Sequence, residues 1–155
     1  NTKAADDVEA MISAIGTVTT ESKSAIEEAR AAYDALTDEQ KALVENYDTL
    51  TSAETALAKI ENDIKAADDV EAMISAIGTV TAESKGAIEE ARAAYDALTD
   101  EQKALVENYE ILTSAETTYS ELTAEKELSF FEKLINWIVN AFNWIITLFK
   151  NIFSF

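Results

Sequence analysis

Residues 3–55 read KAADDVEAMISAIGTVTTESKSAIEEARAAYDALTDEQKALVENYDTLTSAET, and residues 65–117 repeat them with four changes: Thr20/Ala82, Ser24/Gly86, Asp48/Glu110 and Thr49/Ile111. A gapless self-match at a shift of 62 residues marks a repeat array, in which each copy is one supersecondary unit. An active site needs only one good copy, so the duplication weighs against catalysis. Within the first copy, Val8, Met11, Ile12 and Ile15 fall at i, i+3, i+4 and i+7, one apolar stripe on a helix KAADDVEAMISAI. Gly16, repeated as Gly78, follows as the residue able to take the left-handed conformation that ends helices.

Thr19 (Thr81 in the second copy) reads as the N-cap of a second helix, ESKSAIEEARAAYDAL, whose buried face is Ile26, Ala29, Tyr33 and Leu36. Thr37-Asp-Glu-Gln40 is a capping box: the Thr hydroxyl accepts from the N3 amide, and Gln40 reaches back to the cap amide. A short third helix then presents Leu43, Val44 and Tyr47, and a turn is expected at Asp48-Thr49-Leu50. Thr51-Ser-Ala-Glu54 reads as a second capping box. From there nothing breaks a helix until Ile77, so one long helix over about 52–77 closes the first unit and opens the second, joining them rigidly. The expected fold is all-α: two tandem three-helix repeat units, 1–62 and 63–128, sharing a long connecting helix, plus a hydrophobic C-terminal amphipathic helix over 129–155.

Composition agrees. Proline is absent and glycine occurs three times, which favours long helices. With no cysteine there is no thiolate nucleophile, disulfide or Cys-ligated metal site. With no histidine the commonest general base and metal ligand is missing too. Asp6-Asp7 and Asp68-Asp69 lack the spacing of a calcium loop and read as helix-start carboxylates that favour the dipole. Asp34, Asp38 and Glu39 crowd one corner, where a weakly held cation is the minority reading. Tyr33, Tyr47, Tyr95 and Tyr109 read as core tyrosines with a wet hydroxyl, and Arg30 and Arg92 as exposed partners of nearby carboxylates on their own helix. No enzyme activity, cofactor or metal is expected.

The string AIGTVTxESKxAIEEARAAYDALTDEQKALVENYxxLTSAE resembles a helical repeat of large extracellular and cell-surface proteins of Gram-positive gut bacteria. The resemblance covers about residues 3–122 and implies an extracellular or surface location and a spacer or accessory role. It brings no site residues with it. The absence of proline rules out a Leu-Pro-x-Thr-Gly sorting signal within these residues. Residue 1 is Asn, with no charged segment and apolar run after it, so the chain reads as a processed product, and any targeting signal would lie outside these residues.

At Ser129 the sequence changes character. Ser129-Phe-Phe-Glu132 reads as a third capping box, starting a fresh helix FFEKLINWIVNAFNWIITLFKNIFSF. Read in sevens, Phe130, Trp137 and Trp144 share one position, and Phe131, Ile138, Ile145 and Ile152 another. Leu134, Ala141, Leu148 and Phe155 share a third, Ile135, Phe142 and Phe149 a fourth, and Val139, Ile146 and Phe153 a fifth. Apart from Glu132 and Asn151, polar residues keep to two positions: Lys133, Asn140, Thr147 and Ser154 in one, Ser129, Asn136, Asn143 and Lys150 in the other. These lie three residues apart and form one narrow stripe. Five positions of seven are apolar, far more than a surface helix of a globular domain needs.

Burying each large apolar side chain is worth about 1.5–3 kcal/mol, so sixteen of them give an upper bound of roughly 24–48 kcal/mol, against a net domain stability of about 5–15. Such a helix needs a partner. A strict seven-residue period favours copies of itself, and a homo-oligomer through 129–155 is expected. Two alternatives stay open for this helix: a membrane, reached in the interfacial plane or by insertion, even as a pore; and docking on an unseen partner or the rest of a longer parent protein. A further functional alternative is a ligand-binding module, in which a three-helix surface of the repeats grips an unidentified host or cell-wall protein. Against a simple span, the uncharged run 134–149 covers only about 24 Å, less than the ~30 Å hydrocarbon core. Nucleic acid is not an expected partner. Of a net charge of −18, residues 130–155 hold Glu132, Lys133 and Lys150, a sum of +1, leaving −18 − 1 = −19 on the rest. Such a body repels phosphate backbones.

Overall fold

The structure is a computed structural model. It describes the backbone of residues 2–153 and the side chains as far as Phe149. The chain is all-α: seven α-helices and one short 3-10 turn, with no strand among the described residues. The helices are α1 (Thr2–Ala14), α2 (Lys23–Asp34), α3 (Asp38–Lys41), α4 (Tyr47–Ala76), α5 (Lys85–Ala97), α6 (Asp100–Lys103) and α7 (Tyr109–Phe153). The chain divides into two compact units, one of residues up to Asp69 with Leu98–Leu105, the other of Val70–Ala97 with the chain from Val106 onward. Helix α4 runs unbroken from the first into the second.

In the first unit α1 buries Ala5, Val8 and Ile12, with Ile15 buried just past its end and Met11 packed alongside, so the apolar stripe faces the core as its spacing requires. Ile26 and Ala29 of α2 meet that stripe; Tyr33 and Leu36 are only partly covered. Gly16 ends the turn of α1 at φ +60°, and Gly78 repeats it at +58°. The Thr37 box forms as read: Gln40 N donates to Thr37 Oγ1 at 3.3 Å, and Thr37 N to Gln40 Oε1 at 2.9 Å. Its twin at Thr99 and Gln102 is the same to within a tenth of an ångström.

Five local expectations give way, each for a physical reason. Thr19 does not open α2; it starts the 3-10 turn Thr20–Ser22, where Ser22 Oγ accepts from Thr19 N at 3.0 Å, and α2 follows at Lys23. Asp48-Thr49-Leu50 is not a turn but the first helical turn of α4, which begins at Tyr47. Leu50 is fully buried, in helical register with buried Ala53 and Leu57. A good cap at Thr51 is worth ~1 kcal/mol, whereas burying a leucine is worth about 1.5–3, so the core moves the helix start upstream. Thr51 Oγ1 then donates back to Asp48 O at 3.0 Å instead of capping. Leu43, expected in the core, is 45% exposed, because α3 ends at Lys41 and the turn after it aims only Val44 inward.

The fifth concerns Ser129. It does not begin a helix, because α7 passes straight through it. The preceding stretch holds no glycine or proline, and its hydroxyls already bond backward within the helix, Thr118 to Ser114 O at 2.8 Å and Thr123 to Tyr119 O at 3.0 Å. A capping box stabilises a helix end; without a breaker it gives no reason to surrender the backbone bonds of a continuing one.

Two substitutions test this packing. Leu50→Ala should destabilise the chain by about 2–5 kcal/mol in urea unfolding, while Leu43→Ala should change it by no more than ~0.5. Gly16→Ala should cost roughly 1–2 kcal/mol, although a methyl there meets nothing within 4 Å, since the loss is purely one of backbone conformation.

Candidate functional site: paired arginine corners and the terminal helix face

Two features carry the polar chemistry and the exposed apolar surface. The first is a corner built once in each unit. Arg30, on α2, sends Nε and Nη2 to Glu54 Oε1 and Oε2 of α4, both at 2.6 Å, a bidentate fork. Its Nη1 donates to Tyr47 Oη at 3.3 Å. The Tyr33 and Tyr47 rings stack at 4.4 Å with the guanidinium 5.7 and 5.3 Å from their centroids. Asp34, the partner expected on the same helix, sits at 3.7 Å and is mostly exposed. In the second unit Arg92, Glu116, Tyr95 and Tyr109 repeat the corner, with Arg92 to Glu116 at 2.6 and 2.7 Å. Sequence reading missed Glu54 and Glu116, assigning Glu54 to a cap. Their partners lie 24 residues away, a separation that leaves no helical signature.

The glutamate hydrogen bonds, and secondarily the tyrosine hydroxyls, raise both arginines still further above their ordinary range. The reciprocal bonds hold Glu54 and Glu116 below the usual carboxylate value, against the opposing pull of burial. All members of the corner are satisfied by one another. It is a clamp between helices.

Smaller contacts brace the turns. In the first unit Glu9 Oε1 accepts Glu45 N–H at 2.6 Å, while Asn46 Nδ2 donates to Glu9 O at 3.0 Å and Ser13 Oγ at 3.2 Å. Asp63 accepts from Lys59 at 2.6 Å and from Gln102 Nε2 at 2.8 Å, so the capping glutamine of α6 also grips α4. These bonds, the lysine's first, lower the Asp63 carboxyl below its ordinary range. At the Asp34, Asp38 and Glu39 corner, Glu39 is held low by its own backbone amide and then by the Thr37 hydroxyl. Among the described residues no group of three or more carboxylates is gathered so as to hold a metal ion.

The second feature is the distal part of α7. From Ala124 to Phe149 every residue is exposed except Ala141, which is half-covered. The centre of the apolar arc is the line Leu134, Ile138, Ala141, Ile145 and Leu148, at alternating steps of four and three. Its large members are 38–41% exposed, sheltered by bulkier flanks. On one flank stand Phe130, Trp137 and Trp144 at 63–68%, on the other Ile135, Phe142 and Phe149 at 58–63%. Phe131, Val139 and Ile146 complete the arc, and Phe131 meets Phe130 edge to face at 6.1 Å. Lys133, Asn136, Asn140, Asn143 and Thr147 lie on the remaining side, where Thr147 Oγ1 donates to Asn143 O at 2.8 Å. The structure thus brings one helical face together as the seven-residue period requires. Lys150, Ile152 and Phe153, assigned to the same stripe and arc, lie outside the described side chains.

Among the described residues no helix is long and apolar enough to cross a membrane. No protein-family model, curated protein or solved structure matches this chain.

The carboxylates of the corners set a pH dependence. Their folded pKa values lie below the ordinary 4.5, so the stability they contribute is present above that value and lost as pH falls through the depressed ones. Glu54→Gln with Glu116→Gln should lower the melting temperature at neutral pH. It should also make the decline between about pH 5 and pH 3 shallower than in the parent chain. An unchanged decline would show that other carboxylates govern it.

Proposed function

We propose that this chain is a non-catalytic structural module of a bacterial surface or secreted protein, with helical repeats as a spacer and a terminal helix that gathers copies of the chain. The observation that carries the reading is the apolar arc of α7, whose large side chains from Phe130 to Phe149 stand 38–68% exposed over five of seven positions. A contiguous apolar surface of that width on a helix otherwise free to be solvated marks an interaction face. The seven-residue period supports a helical partner with the same period. The spacer half of the reading is supported by the unbroken α4 and by corners whose polar groups are spent on one another. The surface location rests on the resemblance of residues 3–122 to extracellular helical repeats.

Light scattering in plain buffer should give the mass of an oligomer, unchanged by added lipid vesicles. Ile138→Glu with Ile145→Glu puts two carboxylates one heptad apart on the central line, where burying them unpaired costs more than the contacts return. That variant should be a monomer whose repeats melt as before. A parent chain that is monomeric in buffer and gains mass only on vesicles would replace the assembly reading with a membrane one.

A further inference from the structure

The central line of the apolar arc has one irregular member. Leu134, Ile138, Ile145 and Leu148 are large; Ala141, between them, is small and, among the described residues from Ala124 to Phe149, the only half-covered one. In a parallel, in-register bundle each residue of the line meets its own copies. An Ala141 layer would then lack the side-chain volume that every other layer supplies, and a packed core does not tolerate such a gap well. Reversing one helix removes the problem. With Ala141 level with Ile138 of the neighbouring copy, Leu134 falls level with Ile145 and Phe131 with Leu148, each pair summing to 279. Every layer then pairs one residue from each of two heptad positions, and the small residue always faces a large one.

Charge independently selects the same direction. Over residues 121–133 of α7, Glu121, Glu125, Glu127 and Glu132 precede the apolar run, offset by Lys126 and Lys133, a sum of −4 + 2 = −2. The run 134–149 carries no charge, and Lys150 follows it. Parallel copies would set the acidic ends side by side, where like charges repel. In the reversed register Lys150 of one copy is level with Ser129 of the next, within one helical turn of Glu125 and Glu132. The helix dipoles also oppose rather than add. Isoleucine at one line position and leucine at the other suits parallel two-stranded coils, but those carry charges on their flanks. Here both flanks are apolar, and a two-stranded coil would leave one of the tryptophan or phenylalanine lines bare.

We propose, resting on the assembly reading above, that the terminal helix face is covered by the same face of further copies of this chain. Neighbouring helices run antiparallel, with Ala141 packed against Ile138 of the adjoining copy and more than two helices in the bundle. The tryptophan flanks then face each other, Trp137 near Trp144 of the neighbour.

The chain has no cysteine, so disulfide trapping reads the direction without background. Full-length Phe131→Cys and Leu148→Cys chains, one with a mass tag, are refolded alone and as a mixture and then oxidised. The mixture should yield the mixed disulfide, and neither chain alone should dimerise covalently. A Phe131→Cys self-disulfide, or no mixed disulfide while the parent chain is oligomeric, overturns the antiparallel arrangement and leaves the assembly reading standing. A monomeric parent chain overturns both. Because these substitutions touch the seam, a spin label on Ser129→Cys gives a second measure outside it. Copies whose residues 129 and 150 are level should show a separation of about 30 Å, whereas a parallel bundle should show only distances under about 20 Å.

Discussion

Leu50 and its twin Leu112 have no solvent exposure at all, and the placement of each unit's remaining parts follows from that burial. For Leu50 to enter the core formed by Val8, Ile12, Ile26 and Ala29, the chain after α3 must already be helical at Tyr47. That start brings the Tyr47 ring over Tyr33 and its hydroxyl to Arg30, and sets Glu54 two turns further along, where the guanidinium fork reaches it. It also leaves Asn46 at the helix mouth, free to bond Glu9 O and Ser13 Oγ and so tie the turn to α1. One buried leucine thus sets the register in which the polar contacts become geometrically available. The contribution is hydrophobic and non-directional; the bonds that follow select one arrangement among those it permits.

The corners illustrate how such selection works at modest cost. Arg30 and Glu54 are each about a third or less exposed, so their attraction is screened less than at a free surface while both keep access to water. The fork satisfies both carboxylate oxygens, the tyrosine hydroxyl takes a further donor, and the stacked rings cover the guanidinium faces. Recurrence of the same distances around Arg92 follows from the identity of every residue in the two corners.

The distal helix follows a different logic. In the repeats most apolar side chains find partners on neighbouring helices of the same unit; among the described residues from Ala124 to Phe149 none is covered beyond the half-burial of Ala141. Its continuity with the rest of α7 gives the apolar face a firm mount. The same continuity places the glutamates of 121–132 directly beside that face, so any assembly must deal with their charge as well as with the apolar area.

The sequence by itself determined the elements that depend on neighbours three and four residues away. The 62-residue repeat, the all-α class, the stripes of α1 and α2, the glycine turns, the Thr37 and Thr99 boxes and the face of the terminal helix all have local periodicity or local hydrogen bonding as their cause. What only the tertiary structure decided depends on residues distant in the chain. Leu50 was read as a turn residue because its environment is supplied by α1 and α2, and Leu43 as core because spacing alone does not reveal where a short helix stops. Glu54 fitted a cap until Arg30, 24 residues earlier, was found in its reach. Ser129 fitted one too, but the cap signal is conditional on a break that no residue there supplies. A cap is worth ~1 kcal/mol and a buried leucine about 1.5–3, so wherever a local signal and the core compete for the same residues, the core sets the boundary.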